Sequence, residues 1–500
     1  MEQYTELFAK ARAAQKLWQN KSFFERKTHT SKMLSCITEH ADHFAELVSE
    51  ETGKTRVDAL TTEVLPCALA LRWYSDHAEK VLAKKSLKTS SILFINKRSE
   101  IRRIPLGVVG IISPWNYPLA IPFGEVIMGL MAGNAIMLKV AANVKKVGEL
   151  IREIVSKGDL PEGLFTLLEG PGSQVSEQLF ANKIDKIFFT GSVAVGKELM
   201  IKSAEHLTPV SLELGGNDPM IVLEDADLER ATNGTLWGGF QNAGQTCGGV
   251  ERVYVHQKIY KPFIKLLAEK TKKLRHGVHP NHDVDIGGIT TQKQLQTITE
   301  HVDEALQKGA RILAQSVPVG DLSQGFFYPA TVLVDVDHSM LVMREETFGP
   351  VIGIMPFKTE EEALQLANDS HLALTSSVWS KDLGRAKRLA QKIASGVTTI
   401  NDHLYTHALS ETPWGGWKES GIGRTHGAMG LEEMTHAKLI NWDLCPTPRN
   451  MFWFPFSKET YDGIRSAMEF SFPTSPVSKM KGAQKLVPFA LKRMLTKWEM

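Results

Sequence analysis

The chain is expected to fold as an α/β protein with two largely parallel sheets that follow one another along its length. Three observations predict this. From Gly107 onward, short apolar runs alternate with helical segments, the pattern of parallel strands joined by right-handed crossovers. That pattern breaks once, at the turn-like Leu214-Gly-Gly-Asn-Asp-Pro219, and then resumes. Finally, 500 residues exceed one typical domain, which suits two large lobes.

Taken in order, residues 1–85 carry helical periodicity: Leu7, Phe8, Ala11, Ala14 and Trp18 recur on one face among charged neighbours. Ile92–Ile95 and Glu100–Ile104 are expected to form the arms of a β-hairpin. Gly107–Ile112, Ala135–Lys139, Leu164–Leu168 and Lys186–Phe189 are candidate strands of the first sheet, buried on both faces. The second sheet draws on Met220–Leu223, Arg252–Val255, Val351–Met355, Leu374–Trp379 and Val397–Ile400. Its clearest helices are Ala226–Gln241 and Thr359–Asn368. Beyond Trp442 a proline-punctuated tail carries the aromatic cluster Met451–Phe456.

Composition narrows the function. A formal net charge of +2 leaves no global basic excess for holding phosphates, which argues against a dedicated nucleic-acid binder. Cys36, Cys67, Cys247 and Cys445 are scattered, with no CxxC pair. This argues for a reducing, cytoplasmic compartment and against a disulfide framework or a structural zinc. His276, His279 and His282 cluster in a stretch marked by Gly277 and Pro280, where a solvated loop is expected and no metal. The longest uncharged stretch, Ile104 to Gly124, holds four prolines and so is a poor membrane helix. The N-terminus lacks the continuous apolar region of a secretory signal.

The stretch with most chemistry is Asn242-Ala-Gly-Gln-Thr-Cys247, which sets a thiol among small and polar residues. A cysteine there is either a small buried hydrophobe or an open nucleophile. Its company is Pro114-Trp-Asn-Tyr-Pro118, Phe189-Thr-Gly-Ser192, Glu213-Leu-Gly-Gly216, Glu345-Glu-Thr-Phe-Gly-Pro350 and Pro413-Trp-Gly-Gly416. Together these motifs resemble the aldehyde dehydrogenase superfamily over roughly residues 100–430. The resemblance implies two Rossmann-like parallel-sheet lobes plus a small β oligomerisation flap. Residues 1–90 and 106–212 would bind cofactor, 213–424 would form the catalytic domain, 91–105 and 425–445 the flap, and 446–500 a subgroup-specific tail.

It further implies oxidation of an aldehyde to a carboxylate with NAD or NADP, through a thiohemiacetal and a thioester. Cys247 is then the nucleophile, Glu213 the base, and Asn116 the oxyanion donor, assisted by the Cys247 N–H. Trp115, Lys139, Gly191, Ser192, Gly196, Glu346 and Phe348 would bind the dinucleotide, and Tyr117, Asn401 and Trp414 would line the substrate tunnel. One departure stands out: Lys139-Val-Ala-Ala142 replaces the family's common Lys-Pro-Ser-Glu, removing the acid that would repel a 2′-phosphate, so the cofactor choice stays open. The alternatives are a coenzyme-A-acylating relative and a non-catalytic binding protein on the same fold. Glu213 argues against the first and the intact Cys247, Glu213 and Asn116 against the second.

A homodimer or tetramer is expected, assembled through the flap and a late strand near His436–Trp442. In the tail, six basic residues (Lys479, Lys481, Lys485, Lys492, Arg493, Lys497) accompany one apolar face of Leu486, Phe489, Ala490, Met494, Leu495 and Trp498. That face either docks on protein or makes a peripheral contact with an anionic membrane surface.

Overall fold

The computed structural model describes residues 2–278 and 283–496, and these divide into two compact units. The first, Met1–Val81 with Pro105–His436, holds both large sheets. The six-stranded sheet runs, in spatial order, Gly421–Ile422, Val210–Glu213, Lys186–Thr190, Val108–Ile112, Ala135–Lys139 and Phe165–Leu167. All neighbours are parallel except the first pair. Val108, Val109, Ile111 and every residue of Ala135–Lys139 are buried, as strands covered on both faces must be.

The connections diverge between two neighbouring strands. Val108–Ile112 is followed outward by Ala135–Lys139 and Phe165–Leu167, while Lys186–Thr190 leads the other way to Val210–Glu213. The carboxyl ends of the two central strands therefore lie side by side, with Ile112 opposite Phe189. Such a switch point leaves a crevice between the departing loops. Here those loops carry Pro114–Pro118 and Gly191–Ser192.

After Glu213 the chain enters the seven-stranded sheet at Asp218. Its spatial order is Arg311–Gln315, Thr331–Val334, Val351–Phe357, Val250–His256, Asp218–Val222, Thr375–Trp379 and Val397–Ile400, parallel except for the first strand. The sequence expectation found five of these seven strands. It passed over Thr331–Val334 and Arg311–Gln315, two short runs with little alternation to separate them from loop.

The second unit comprises Leu82–Ile104 and the chain from Ala437 onward. One expectation is corrected here. Ile92–Phe94 is a 3₁₀ turn capped by the Ser91 hydroxyl, not a hairpin arm. The strand Lys97–Pro105 pairs instead with Lys85–Leu87, and on its other side with Thr435–Asp443. The apolar residues of the turn are used for packing: Leu93 joins the cluster of Met451, Ala467, Leu486 and Phe489, and Phe94 meets Phe452 at 5.7 Å.

That cluster lies between two helices, Lys458–Ser471 and Pro476–Leu495. They approach closely because Gly463 faces the Phe489 ring and Gly482 faces the backbone of Phe470. The apolar face expected from sequence is largely this packing face: Leu486 and Phe489 are buried, and Ala490 and Met494 pack on the cluster. Leu495 is exposed, and Trp498 and Lys497 lie outside the described residues. No helix among the described residues is long and apolar enough to cross a membrane.

The seven-stranded sheet contains a fully buried guanidinium. Arg252 donates to the carbonyls of Asn217, Leu366 and Ala367 and to the Tyr254 hydroxyl, tying a central strand to the helix Glu360–Asn368. Truncation would strand two buried acceptors, the Asn217 and Ala367 carbonyls, at about 1–3 kcal/mol each, while the Leu366 carbonyl keeps the Tyr254 hydroxyl. Thermal melting of Arg252→Ala should therefore come at least about 2 °C below the parent; coincident melts would show that these bonds add nothing to the sheet.

Candidate active site

The turn before Cys247 is shaped by three successive left-handed residues, Asn242, Ala243 and Gly244. A side chain at Gly244 would fall 2.0 Å from the Gly349 carbonyl oxygen, so only glycine permits this approach. Buried Gln245 then fixes the loop: its Nε2 donates to the Asn242 and Gly288 carbonyls, and its Oε1 accepts from the Thr290 N–H at 2.9 Å.

Asn116 meets this loop from the crevice of the first sheet. Its Nδ2 donates to the Gln245 carbonyl at 3.0 Å, while Asn242 Nδ2 donates back to the Asn116 carbonyl at 3.1 Å. Beneath it lies an ion pair that the sequence did not reveal. Lys54 Nζ contacts Glu63 Oε1 at 2.6 Å, both side chains fully buried, and also donates to the Asn116 carbonyl at 2.8 Å. Glu63 Oε2 accepts from the N–H groups of Leu119 and Ala120, where the helix Ala120–Ala132 begins. Lys54 also sits 4.3 Å from the Tyr117 ring centroid.

Cys247 is half-buried and is shared by two cavities. One, of about 210 Å³, is walled by Tyr117, Ile121, Trp237, Leu404, Ala408 and Trp414. The other, of about 310 Å³, brings together Trp115, Asn116, Gly191, Ser192, Glu346 and Phe348. Trp115 and Phe348 pack edge to face at 5.5 Å, and Glu346 accepts from the Gly216 N–H at 2.9 Å. Buried Glu251 holds this wall by accepting from the N–H groups of Thr347 and Phe348.

Other expected residues sit elsewhere. Asn401 is off the apolar wall, a correction to the tunnel expectation: its amide is spent on the Ser380 backbone, accepting from the N–H at 2.9 Å and donating to the carbonyl at 2.8 Å. Gly196 lies in the first turn of Val193–His206, where a Cβ would strike Leu214 at 2.6 Å, so it serves close packing. Lys139 is buried at its strand end with Nζ on the Val140 carbonyl, and burial together with Lys145 lowers its pKa. His276 bonds the Ser316 hydroxyl at 2.9 Å, while His279 and His282 lie outside the described residues.

Glu213 ends its strand buried, and neither carboxyl oxygen has a hydrogen-bond partner. Burial raises its pKa, the charge of Glu125 raises it further, and Arg424 opposes them. Cys247 is also pushed up, by burial first and then by Glu346, Asp218 and Glu213. The thiol is thus held protonated among acidic neighbours, with an unpartnered carboxyl whose charge reaches it.

Sequence inspection passed over Glu125 as well. It is an acid in the middle of the uncharged helix Ala120–Ala132, and that isolation was its only signal. Burial raises it from 4.5 to about 8. The unfolded chain releases this proton near pH 4.5 and the folded chain keeps it until about 8. Between those values folding takes up a proton, so Glu125 costs stability increasingly as pH rises, by about 1.4 kcal/mol per pH unit. Glu125→Gln should match the parent in acid and become progressively more stable toward pH 8; an unfolding midpoint difference that does not change with pH would refute this.

Comparison with known proteins gives the family. A model of the aldehyde dehydrogenase family matches residues 1–440. The chain is 38% identical over 465 residues to the 4,4'-diapolycopene aldehyde oxidase of Methylomonas sp, spanning 93% of this chain and 86% of that one. It is 34% identical to a putative succinate-semialdehyde dehydrogenase [NADP(+)] of Mycolicibacterium smegmatis, over 87% and 83% of the two chains. Among solved structures, the betaine aldehyde dehydrogenase of Staphylococcus aureus in complex with NAD+ superposes with a TM-score of 0.83 at 32% identity, covering 91% of this chain and 89% of that one. The chain belongs to the aldehyde dehydrogenase family, and it is an aldehyde-oxidising enzyme.

Proposed function

We propose that the protein oxidises an apolar aldehyde to its carboxylate, with NAD or NADP as the electron acceptor and Cys247 as the nucleophile. The observation that carries this is the placement of Cys247 in the lining of two unlike cavities, one strongly apolar and one more polar. The polar one fits a dinucleotide. Gly191 has no room for a Cβ because the Phe189 ring lies at 2.6 Å, and Ser192 caps the helix Val193–His206, whose first N–H groups suit a diphosphate. Trp115 and Phe348 offer an aromatic wall, and Glu346 a carboxyl suited to ribose hydroxyls. When bound there, the dinucleotide supplies the hydride acceptor. With Ala142 exposed at the position where an acid is common, the chain offers no charge there against a 2′-phosphate. Relatives of both kinds are known, one named for NADP(+) and one solved with NAD+.

The residues divide the work as follows. The Cys247 thiol gives up its proton to solvent as it attacks, and Glu213, buried and free of partners, is held for the water that follows. Sγ adds to the aldehyde carbon, and the oxygen becomes an oxyanion. Asn116 Nδ2 has two N–H groups; one is committed to Gln245, leaving the other for this oxygen, beside the Cys247 N–H. Loss of hydride from the adduct leaves a thioester on Cys247. Glu213 then takes a proton from water, the hydroxide adds to the acyl carbon, and the C–S bond breaks; the acid's proton passes to sulfur, giving carboxylate and thiol, and Glu213 releases its own proton to solvent. The apolar walls at Ile121, Trp237, Leu404, Ala408 and Trp414 favour an aldehyde with a hydrocarbon body. The relative named for 4,4'-diapolycopene aldehyde supports the same class.

Assembly is proposed through the strand Thr435–Asp443. It ends the three-stranded sheet and is exposed along most of its length, an edge that a neighbouring subunit would cover.

Three measurements test these proposals. Cys247→Ala should lose turnover by at least about a thousandfold. Glu213→Gln should keep a first-turnover burst of reduced dinucleotide while steady-state turnover falls by about a hundredfold or more. If burst and turnover fell together, Glu213 would be serving attack or the fold instead of hydrolysis. Light scattering at micromolar concentration should give a dimer or tetramer; a monomer would remove the role of the strand edge.

A further inference from the structure

The helix Pro476–Leu495 carries two apolar stripes. Gly482, Leu486, Phe489 and Arg493 form the buried one, which packs within its own unit. Val477, Met480, Val487, Leu491 and Leu495 form the other, and each of these side chains is more than half exposed. At 3.6 residues per turn the two sets fall on opposite faces. The exposed stripe therefore does no work in packing the helix on Lys458–Ser471.

Charge decides what fits it. Between Ser475 and Thr496 there are five basic residues and no acid. Arg493 is buried, its guanidinium holding the carbonyls of Met451, Trp453 and Pro455. The other four, Lys479, Lys481, Lys485 and Lys492, are exposed. By the helical period, Lys481, Lys485 and Lys492 follow one border of the apolar stripe. Among the described residues only Lys492 of these meets an acid, Glu459 at 2.8 Å. Trp453, Phe454 and Phe456, on the segment tied to Arg493, are also exposed. An antiparallel second copy is a poor occupant, because that stripe-to-stripe contact brings the two lysine rows together.

We propose that this face of the helix Pro476–Leu495 docks on an anionic lipid surface, its apolar stripe entering the headgroup boundary and its lysines meeting acidic headgroups. The surface differs from the one that sequence periodicity marks, which is packed against protein. It has the layout of an interfacial helix, with an apolar face and a basic border and no capacity to span.

The test is sedimentation of the full-length protein with vesicles of phosphatidylcholine, alone or mixed with phosphatidylserine, at low and high salt. Binding to the mixed vesicles is expected, with release by salt. Val487→Asp combined with Leu491→Asp should weaken binding by more than about tenfold. Lys481→Ala and Lys485→Ala should each weaken it by about fivefold. All variants should keep the parent's melting temperature and its turnover of a short, soluble aldehyde. Failure of the parent to sediment, equal binding to both vesicle types, or unchanged binding by the Asp variant would overturn the proposal. A smaller assembly for the Asp variant, with vesicle binding intact, would assign the stripe to a second copy and overturn it as well.

Discussion

The buried contact between Lys54 and Glu63 is the constraint on which the site depends. Taking both charges out of water is costly, and the pair persists because each member is fully engaged. Glu63 accepts from the buried N–H groups at the start of Ala120–Ala132, and Lys54 holds the Asn116 carbonyl. With that carbonyl fixed, the Asn116 amide has one orientation, toward the loop that carries Cys247. A polar pair from the N-terminal helices thus sets the angle between two elements more than a hundred residues apart in sequence.

The same economy explains the crowding of acids. Glu213, Glu346, Asp218 and Glu251 all have raised pKa values, each with burial as the leading cause. Two of them are structural: Asp218 bonds Thr375, and Glu251 bonds Thr347 and Phe348. Glu213 differs in having no such partner. Among these buried carboxyls, the one left unengaged is the one assigned to chemistry.

Much of this was legible in the sequence because strands buried on both faces announce themselves as apolar runs, and because turn glycines and prolines mark the loops between them. Pro114–Pro118 and Gly191–Ser192 stand at adjacent strand ends, as the alternation of elements requires. What stayed hidden depends on contacts with no local pattern. Lys54 and Glu63 look like ordinary helix charges, and only the fold brings them under Asn116, 62 residues later in the case of Lys54. Ile92–Phe94 has strand-like composition but is claimed by packing against the tail. Asn401 carries a residue type suited to a tunnel, yet its amide is taken by the adjacent strand end. In the tail, periodicity identified an apolar face and missed that a second one existed.

The two cavities that share Cys247 have different walls. In the proposed reaction, an acyl group on Cys247 would occupy the apolar compartment and leave the other to the dinucleotide. Traffic through the enzyme is then a matter of two doors and not one queue.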